Sequence, residues 1–392
     1  MSDVAACRIR RLRLWNFRNY AEQVVEFGPG INVVAGENAQ GKTNLLEAVA
    51  TVALTRSPRA STAADLIAWE EQECQLQSVV ERPDGPAEVT LRLRRSEGGG
   101  GPASRTVTVD GKSRHARAVL GLCPVVIFWP EDLVLVKAGP EGRRRMLDMV
   151  LAQLQPRAAA DLVRYRRILE QRNALLRHIR KEGASGVGAA AGPIDALAIF
   201  TAELARYGGR IRVARAGLGV ALMPHATAAL SELSAGSDEL RFAYSADGTA
   251  LDEATPEHEA IEALTHSLST RSTEELARGV TLAGPHRDDL EILLNGRPAR
   301  TSASQGQQRS IVLAAKLAEV RHIAAVAGMS PILILDDVLS ELDEHRRFAL
   351  LRALGPGGGV QALLSTTDAA SLDGTDLGEV RPIVVRGGEI AR

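Results

Sequence analysis

The sequence contains few cysteines and no close pair of them. The three cysteines, Cys7, Cys74 and Cys123, lie far apart among 392 residues, without a C-x-x-C spacing. This distribution argues against a zinc site and against a disulfide framework. It is typical of reduced thiols in a cytosolic protein, and we therefore expect a cytoplasmic location.

Aromatic residues and net charge are also scarce. Aromatic side chains make up 3% of the sequence, so we expect a core of leucine, valine, isoleucine and alanine. The formal net charge of -1 excludes a uniformly basic coat, so any contact with nucleic acid must come from local patches. The N-terminal segment does not resemble a signal peptide, and no uninterrupted apolar run approaches membrane-spanning length. We therefore expect no association with a membrane.

The strongest positive signal is a glycine-rich loop near the N-terminus. Residues 36–43 match G-x-x-x-x-G-K-[ST], the loop whose amides cradle nucleotide phosphates. Ile31–Ala35 precedes the loop as a predicted strand, and Asn44–Leu54 follows it as a predicted helix. This order directs a helix N-terminus at a polyanion and predicts a site for a nucleoside triphosphate. The predicted binding residues are Gly36, Glu37, Asn38, Ala39, Gln40, Gly41, Lys42 and Thr43.

Two carboxylates follow an apolar segment near the C-terminus. Pro331–Leu335 is typical of a buried parallel strand, and Asp336 and Asp337 come directly after it. A carboxylate in this place helps to hold Mg²⁺ in phosphate-loop proteins, and we assign that role to Asp336 with the Thr43 hydroxyl. We expect Lys42 to reach the β- and γ-phosphates and Asp337 to orient or deprotonate the attacking water. In the alternative, the two acids only cap a helix.

A third segment, Ser304–Gln308, begins the long helical pattern that precedes this strand. Serine followed at the third position by glutamine is a capping signature. By itself, the segment is as consistent with a structural role as with a binding role.

We predict three parts in the chain. Residues 1–140 are rich in strand patterns, residues 141–279 are helical in pattern, and residues 280–392 alternate strands and helices. The nucleotide domain is therefore predicted to be split by a compact helical lobe or short antiparallel arm. We expect the second helical stretch of this lobe to be interrupted at Gly208-Gly209, Gly217, Gly219 and Pro224.

Basic residues concentrate in the first helical stretch of this lobe. They favour salt-sensitive contacts with DNA phosphates, and the scarcity of aromatics argues against base stacking as the main contribution. The alternative is a solvated helix face with intrahelical ion pairs, and Arg172-Asn173 is also a candidate for structural packing. The residues are Arg143, Arg144, Arg145, Arg164, Arg166, Arg167, Arg172, Arg177, Arg180 and Lys181.

Together these motifs resemble the ATPase heads of the ABC superfamily. Ser304–Gln308 is similar to the signature loop, and Ser340–Asp343 is similar to the D-loop. In that superfamily the signature serine and its helix N-terminus contact the γ-phosphate held by a second subunit. The resemblance implies an α/β head, with a β-rich lobe and a parallel-sheet lobe, that forms an ATP-dependent homodimer. It adds Ser304, Gln305, Gly306 and Gln307 to the predicted nucleotide-binding residues.

From end to end, the chain resembles the RecF family of bacterial recombination mediators, which is related to the SMC ATPases. The resemblance implies a dimer, loaded with ATP and Mg²⁺, that binds gapped DNA or junctions of single- and double-stranded DNA. It implies action with RecR and RecO to place RecA, in DNA replication, recombination, repair and the SOS response. The matching segments, in the family's order, are residues 16–20, 36–43, 129–133, 171–173, 284–289 and 304–308.

Some residues depart from the wider ABC pattern. Asp337 stands in place of the catalytic glutamate, and Thr366 or Thr367 stands in place of the switch histidine. Glu131 is the candidate for the Q-loop position. The replacements of the catalytic glutamate and of the switch histidine both favour slow turnover, so we expect a weak, DNA-stimulated ATPase.

Two other functions fit the same head. A transport ATPase subunit is disfavoured by the large helical insertion between the phosphate loop and the signature segment. A nucleotide-dependent scaffold would dimerise without hydrolysing ATP, and single-cycle turnover beside an Asp337→Asn variant would identify it.

Overall fold

The computed structural model describes residues 5–96, 102–184, 191–234, 238–354, 359–367 and 380–391. The chain folds into two compact units. Unit 1 contains Met1–Val134, His225–Asp238 and Ser304–Arg392, and unit 2 contains Leu135–Pro224 and Glu239–Ala303. The three-part division of the sequence at residues 140 and 280 stays a prediction.

The first part of unit 1 is mainly an antiparallel sheet, in the order β3-β2-β5-β6-β7-β8. Alternating residues of its central strand β5, among them Cys74, Leu76 and Val80, are buried, as expected when one face covers a core. The elements are β1 (Ala5–Ala6), β2 (Arg8–Phe17), β3 (Tyr20–Glu26), β4 (Ile31–Ala35), α1 (Lys42–Leu54), β5 (Glu73–Glu81), β6 (Ala87–Arg94), β7 (Ser104–Val109), β8 (Lys112–Arg114) and β9 (Val125–Phe128).

Unit 2 is mainly helical and carries a small antiparallel sheet in the order β11-β10-β12-β13. Its core contains Tyr165, Leu204, Tyr207 and Leu264, which are all buried. The elements are α2 (Pro140–Leu154), α3 (Pro156–Ala184), α4 (Ala191–Ser234), β10 (Leu240–Ala246), β11 (Thr249–Ala250), α5 (Glu257–Thr270), α6 (Ser272–Arg278), β12 (Asp289–Leu294), β13 (Arg297–Pro298) and α7 (Ala299–Ser302). The end of α4, from His225 on, belongs to unit 1.

The last part of the chain completes unit 1. All five residues of its strand Ile332–Asp336 are buried, which explains the continuous apolar segment in the sequence. The elements are α8 (Gln305–Ala327), β14 (Met329–Ser330), β15 (Ile332–Asp336), α9 (Glu344–Leu354), β16 (Ala362–Thr366), β17 (Val380–Arg386) and β18 (Glu389–Ala391).

A second sheet of unit 1 joins strands from the two ends of the sequence, in the order β18-β17-β4-β16-β15-β9. Its strands run parallel except for the β17–β18 hairpin. Ala35 pairs with Thr366, and Asp336 pairs with Ser365. Since β4 and β15 both flank β16, the sheet brings the phosphate loop and the two carboxylates to the same edge.

Helix α4 is continuous, so the predicted interruption at its glycines and proline is wrong. A Cβ atom on Gly209 would lie 2.7 Å from the backbone nitrogen of Ile261 in α5. At Gly208 it would collide with the side chain of Leu264. These two glycines therefore allow a close approach of α5, and the packing offsets their low helix propensity.

Most of α4 also meets the length and composition of a membrane-spanning helix. Gly192–Ser234 has a mean hydropathy of 1.2 over its most apolar window, and 44% of that window is buried. The expectation that no apolar run approaches this length therefore needs correction for this helix. The helix also carries Arg212 and Arg215, both buried and ion-paired, which is a feature of core helices in globular domains.

Candidate nucleotide site

The phosphate loop connects β4 to α1 in a conformation that depends on glycine. Gly41 has a φ of 116°, and a Cβ atom there would lie 2.7 Å from the side-chain nitrogen of Asn19. The Tyr20 hydroxyl donates a hydrogen bond to the Gly41 carbonyl at 2.9 Å. The loop is thus fixed from the β2–β3 turn, as backbone amides that bind an anion must be.

Lys42 begins α1 and turns back over the loop. Its Nζ donates to the carbonyl oxygens of Gly36 and Glu37, both at 2.7 Å. Burial lowers the pKa of Lys42, and the carboxylates of Asp337 and Asp336 act in the opposite direction. The ammonium group is therefore held at the loop by neutral carbonyls. An incoming phosphate would give it a negatively charged hydrogen-bond partner.

Thr43 and Asp336 come together, as the sequence predicted, although 293 positions separate them. The Thr43 hydroxyl lies 2.9 Å and 3.0 Å from the two carboxylate oxygens of Asp336. The Ser365 hydroxyl donates to the same carboxylate at 2.6 Å. Burial raises the pKa of Asp336, and the hydrogen bonds from Ser365 and Thr43 oppose that effect.

These oxygens fit a magnesium ion. Mg²⁺ prefers oxygen ligands and is usually bound through one or two carboxylates plus substrate phosphates. The Asp336 carboxylate and the Thr43 hydroxyl are such donors, side by side at the end of β15. Among the described residues, the buried Asp336 carboxylate accepts its hydrogen bonds from the hydroxyls of Thr43 and Ser365, so a cation would also stabilise it.

Asp337 has a left-handed backbone, with a φ of 51°. Its amide donates to the Ser365 hydroxyl at 2.8 Å, so Ser365 holds both acids of the pair. A cavity of about 160 Å³ lies between the acids and the loop. Its lining residues are Asn38, Ala39, Gly41, Lys42, Thr43, Asn44, Asp336, Asp337 and Ser365.

The remaining loop residues are not among the lining residues and hold the loop in place. Gly36 and Glu37 hold Lys42 through their carbonyls, and Gln40 contacts the β17–β18 hairpin. The Gln40 side-chain oxygen accepts from the Gly387 amide at 2.5 Å, and its carbonyl accepts from the Gly388 amide at 2.9 Å. The loop is therefore anchored to the last hairpin as well as to the β2–β3 turn.

Ser365 is the main site residue that sequence reasoning missed. It lies next to Thr366 and Thr367, which the sequence suggested for the switch position. Ser365 lines the cavity and hydrogen-bonds to Asp336, whereas Thr366 and Thr367 are not among the lining residues. No local pattern identified Ser365, because it reaches Asp336 through the pairing of β16 with β15.

The Ser304 segment forms the capping box predicted for it. The Gln307 amide donates to the Ser304 hydroxyl at 3.2 Å, and the Ser304 amide donates to the Gln307 side chain at 2.9 Å. Ser304 and Gln305 are exposed, and Gly306 is half-buried. None of them lines the cavity described above, so their contact with a nucleotide stays a prediction.

The candidate for the Q-loop position, Glu131, is exposed in the short turn Pro130–Val134. Its role stays a prediction. The next residue, Asp132, is buried, accepts from the Trp129 amide at 3.0 Å and lies 3.7 Å from Nζ of Lys316. This contact joins the turn to α8, the helix that begins after Ser304.

Several basic residues suggested for DNA contact have structural partners instead. Arg143 is buried and forms two hydrogen bonds with Asp289, at 2.7 and 2.9 Å. Arg172 is buried and donates to Glu275 at 2.6 Å. These two arginines therefore stabilise unit 2 and are unavailable to DNA. Arg145, Arg166, Arg167, Arg177, Arg180 and Lys181 are exposed.

The Arg172-Asn173 pair has the structural role that the sequence allowed. The Asn173 side-chain oxygen accepts from the amide and the hydroxyl of Thr281, at 2.8 and 2.7 Å. Arg172 also donates to the Thr281 hydroxyl at 2.8 Å. The pair therefore joins α3 to the segment that follows α6.

Comparison with protein families and relatives identifies clear similarities. The model of the RecF/RecN/SMC N terminal domain matches residues 8–376. The chain is 40% identical over 384 residues to the DNA replication and repair protein RecF of Synechococcus sp. (strain JA-2-3B'a(2-13)), with 97% of each chain covered. It is 37% identical over 361 residues to the protein of that name from Enterococcus faecalis (strain ATCC 700802 / V583), with 92% of each chain covered.

Solved structures give the same result for the fold. A structure described as the recombination mediator protein RecF-ATPrS in the RecFOR pathway has a TM-score of 0.86 at 31% identity, covering 98% of each chain. An Smc head domain with an extended coiled coil, from Pyrococcus furiosus, has a TM-score of 0.53 at 14% identity, covering 98% of this chain and 95% of that one. The predicted α/β head of the ABC type is confirmed.

Proposed function

The chain belongs to the RecF/RecN/SMC N terminal domain family, and we propose that it is an ATP-dependent DNA-binding protein of replication and recombinational repair. The observation that carries the proposal is the contact between Thr43 and Asp336 beside a glycine-shaped phosphate loop. A solved relative described as RecF-ATP, 31% identical with a TM-score of 0.83, supports ATP as the nucleotide.

Each residue of the cavity would have a separate role in the binding and hydrolysis of ATP. Amides of the loop and the Lys42 ammonium group bind the β- and γ-phosphates. Thr43 and Asp336 hold Mg²⁺, which when bound neutralises charge that develops on the transferred phosphoryl group. Asp337 accepts a hydrogen bond from the attacking water and orients it, while Ser365 fixes the positions of both acids.

We propose that ATP also joins two heads. The capped N-terminus of α8 exposes Ser304 and Gln305, as a segment that meets the γ-phosphate of a second subunit must. A helix N-terminus favours such an anion through its unpaired amides and its dipole. Hydrolysis would then remove the group that both heads share and release the dimer from DNA.

Turnover is expected to be slow and to increase with DNA. Asp337 is one methylene shorter than the glutamate usual in ABC heads, and Thr366 or Thr367 stands in place of the switch histidine. In this proposal ATP hydrolysis acts as a timer for DNA binding.

The partners follow from the family. The relatives are named DNA replication and repair protein RecF, and the solved ones are described in the RecFOR pathway. We propose gapped or junction DNA as the substrate, RecR and RecO as direct or pathway partners, and RecA loading as the outcome. The location would be the cytoplasm, without a membrane partner.

The test of this function is DNA binding on one gapped duplex, with and without ATP and Mg²⁺. We expect the wild-type chain to bind DNA only with ATP. A Lys42→Met variant should stay folded but bind DNA no better with ATP than without it. The ammonium group contributes charged hydrogen bonds, so ATP binding should weaken roughly tenfold to a hundredfold. Lys42→Arg is the matched control that keeps the charge.

Wild-type protein that binds ATP but ignores DNA would overturn the proposed function and leave the nucleotide site intact. Single-cycle turnover, compared between wild type and Asp337→Asn, would identify a scaffold that never hydrolyses ATP.

A further inference from the structure

The segment Gly284–Asp289 in unit 2 has no part in the function proposed above. Arg287 is its only exposed residue. Gly284, Pro285 and Asp288 are buried, and His286 and Asp289 are half-buried. Among the described residues, the Arg287 guanidinium has no hydrogen-bond or ion-pair partner.

Asp288, next to Arg287, is held by a buried network. Its carboxylate accepts from Nε and Nη2 of Arg212 at 2.8 and 2.9 Å, and from the Tyr244 hydroxyl at 2.8 Å. Asp288 is 2% exposed and Arg212 is 3% exposed. The backbone on one side of Arg287 is therefore fixed by three hydrogen bonds from rigid side chains.

The backbone that precedes Arg287 in sequence is also fixed by hydrogen bonds. The Arg287 amide donates to the Gly284 carbonyl at 2.8 Å, which closes a turn. Gly284 has a φ of 129°, and a Cβ atom there would collide with the Tyr165 hydroxyl. Arg215 donates to the Pro285 carbonyl at 2.6 Å, and the Tyr165 hydroxyl lies 2.7 Å from Nδ1 of His286.

Stability alone does not explain so many buried charges around one turn. Buried ion pairs seldom stabilise a fold more than apolar residues of the same volume, because desolvation offsets the attraction. Around this turn, the buried ion pairs fix the backbone from which Arg287 extends into solvent. Preorganisation of this kind is typical of residues that bind a ligand.

Aspartates pair with the arginines around this turn, except for Arg144 and Arg287, among the described residues. Arg212, Arg215 and Arg143 each pair with an aspartate, whereas Arg144 donates to the Asp288 carbonyl at 2.7 Å and pairs with no carboxylate among the described residues. Burial, then Arg215, lowers the pKa of Arg144, and Asp289 and Glu141 act in the opposite direction.

His286 adds no positive charge to this region near neutral pH. The pKa of His286 is lowered to about 4, mainly by burial, and the charges of Arg287 and Arg144 act in the same direction. The two arginines are therefore close enough to influence the same imidazole.

We propose that Arg287, supported by Arg144, binds a phosphate of the DNA backbone. The guanidinium group matches two phosphate oxygens, and it needs no sequence-specific base contact. This inference rests on the proposed DNA-binding function and assigns one contact within it. Arg287 also differs from the exposed arginines of α3 in its position, since it lies on a turn held by buried side chains and they lie on a helix face.

The experiment compares Arg287→Ala with wild type in ATP-dependent binding of a gapped duplex at several salt concentrations. We expect binding to weaken about tenfold at low salt. The slope of log affinity against log salt should fall by about 0.9, as for the loss of one phosphate contact. Arg287→Lys should keep the salt slope and recover part of the affinity, because it keeps the charge and loses the second hydrogen bond.

The matched control is Arg241→Ala, which removes another exposed arginine of unit 2, on strand β10. It should leave affinity and salt slope at wild-type values. ATP binding and the melting temperature should be unchanged in both alanine variants, since neither side chain has a partner among the described residues.

Equal affinity and salt slope for Arg287→Ala and wild type would overturn the inference, and so would an equal loss in Arg241→Ala. Wild-type protein without any DNA binding would overturn the proposed function as well, which separates the two failures.

Discussion

Asp336 illustrates how one residue at the site serves function at the expense of stability. Burial raises the pKa of Asp336 above the ordinary value of 3.8. A carboxyl group with a raised folded-state pKa binds its proton more tightly when folded, so its stabilising effect is present at low pH. That effect is lost as the pH rises through the folded-state pKa, and at neutral pH the ionised group destabilises the nucleotide-free chain.

Replacing Asp336 with asparagine should therefore have opposite effects on the two states. Without nucleotide, Asp336→Asn should melt at a higher temperature than wild type near pH 7, and the difference should disappear toward pH 3. With ATP, the additional stabilisation by Mg²⁺ should be lost, because asparagine supplies no charge to the ion. Melting curves with ATP and either Mg²⁺ or a chelator would measure both effects. A lower melting temperature for the nucleotide-free variant at pH 7 would contradict this account.

At the residue scale, the sequence predicted what local pattern determines. The spacing of the phosphate loop and the two acids after an apolar strand predicted Lys42, Thr43 and Asp336 together. Ser365 could not be found in this way, because its position beside Asp336 depends on the pairing of β16 with β15. The buried state of Arg143 was also inaccessible, since its partner Asp289 lies 146 positions away in sequence.

At the scale of elements, helix propensity predicted an interruption of α4 at its glycines, whereas the helix is continuous. Its glycines have two different environments. Gly209 faces the backbone of Ile261, whereas a Cβ atom on Gly217 would meet nothing within 4 Å. The sequence alone cannot separate these cases, because both residues are glycines in the same apolar stretch.

The two glycines therefore predict opposite effects of alanine. Gly209→Ala should destabilise unit 2 by about 1–3 kcal/mol, because α5 must move to admit the methyl group. Gly217→Ala should stabilise it by about 0.5–1 kcal/mol, since alanine restricts the unfolded chain and favours the helix. Urea unfolding of the two variants beside wild type provides the measurement, and a shift in the same direction for both would refute the packing explanation.

At the scale of the whole molecule, we expect ATP to change the oligomeric state. With ATP and an Asp337→Asn substitution to slow hydrolysis, the mass in solution should correspond to a dimer. Adding Ser304→Arg should return it to a monomer that still binds ATP, because Ser304 does not line the cavity of its own head. Light scattering with a fluorescent ATP analogue would report both properties.

A matched control for the dimer is Ser302→Arg, another exposed serine just before the capped helix. It should leave the dimer intact. A dimer that forms equally well without ATP, or that tolerates arginine at position 304, would contradict the proposed assembly.

The general architecture was predictable because its signals are local. Alternating strands, the phosphate loop and the apolar strand before Asp336 identified an α/β head with an inserted helical lobe. The order of strands in the parallel sheet was not predictable, because β4 lies between two strands from the other end of the sequence. Such pairings depend on tertiary contacts that no window of sequence contains.

This strand order has a consequence during protein synthesis. Strands β4 and β9 leave the ribosome early, yet their hydrogen-bonded neighbours β15, β16 and β17 are translated only after the whole of unit 2. Until then the phosphate loop has neither Asp336 nor the hairpin that holds Gln40. A nascent chain is therefore unable to bind ATP as the finished protein does, and its exposed strand edges would need protection by chaperones.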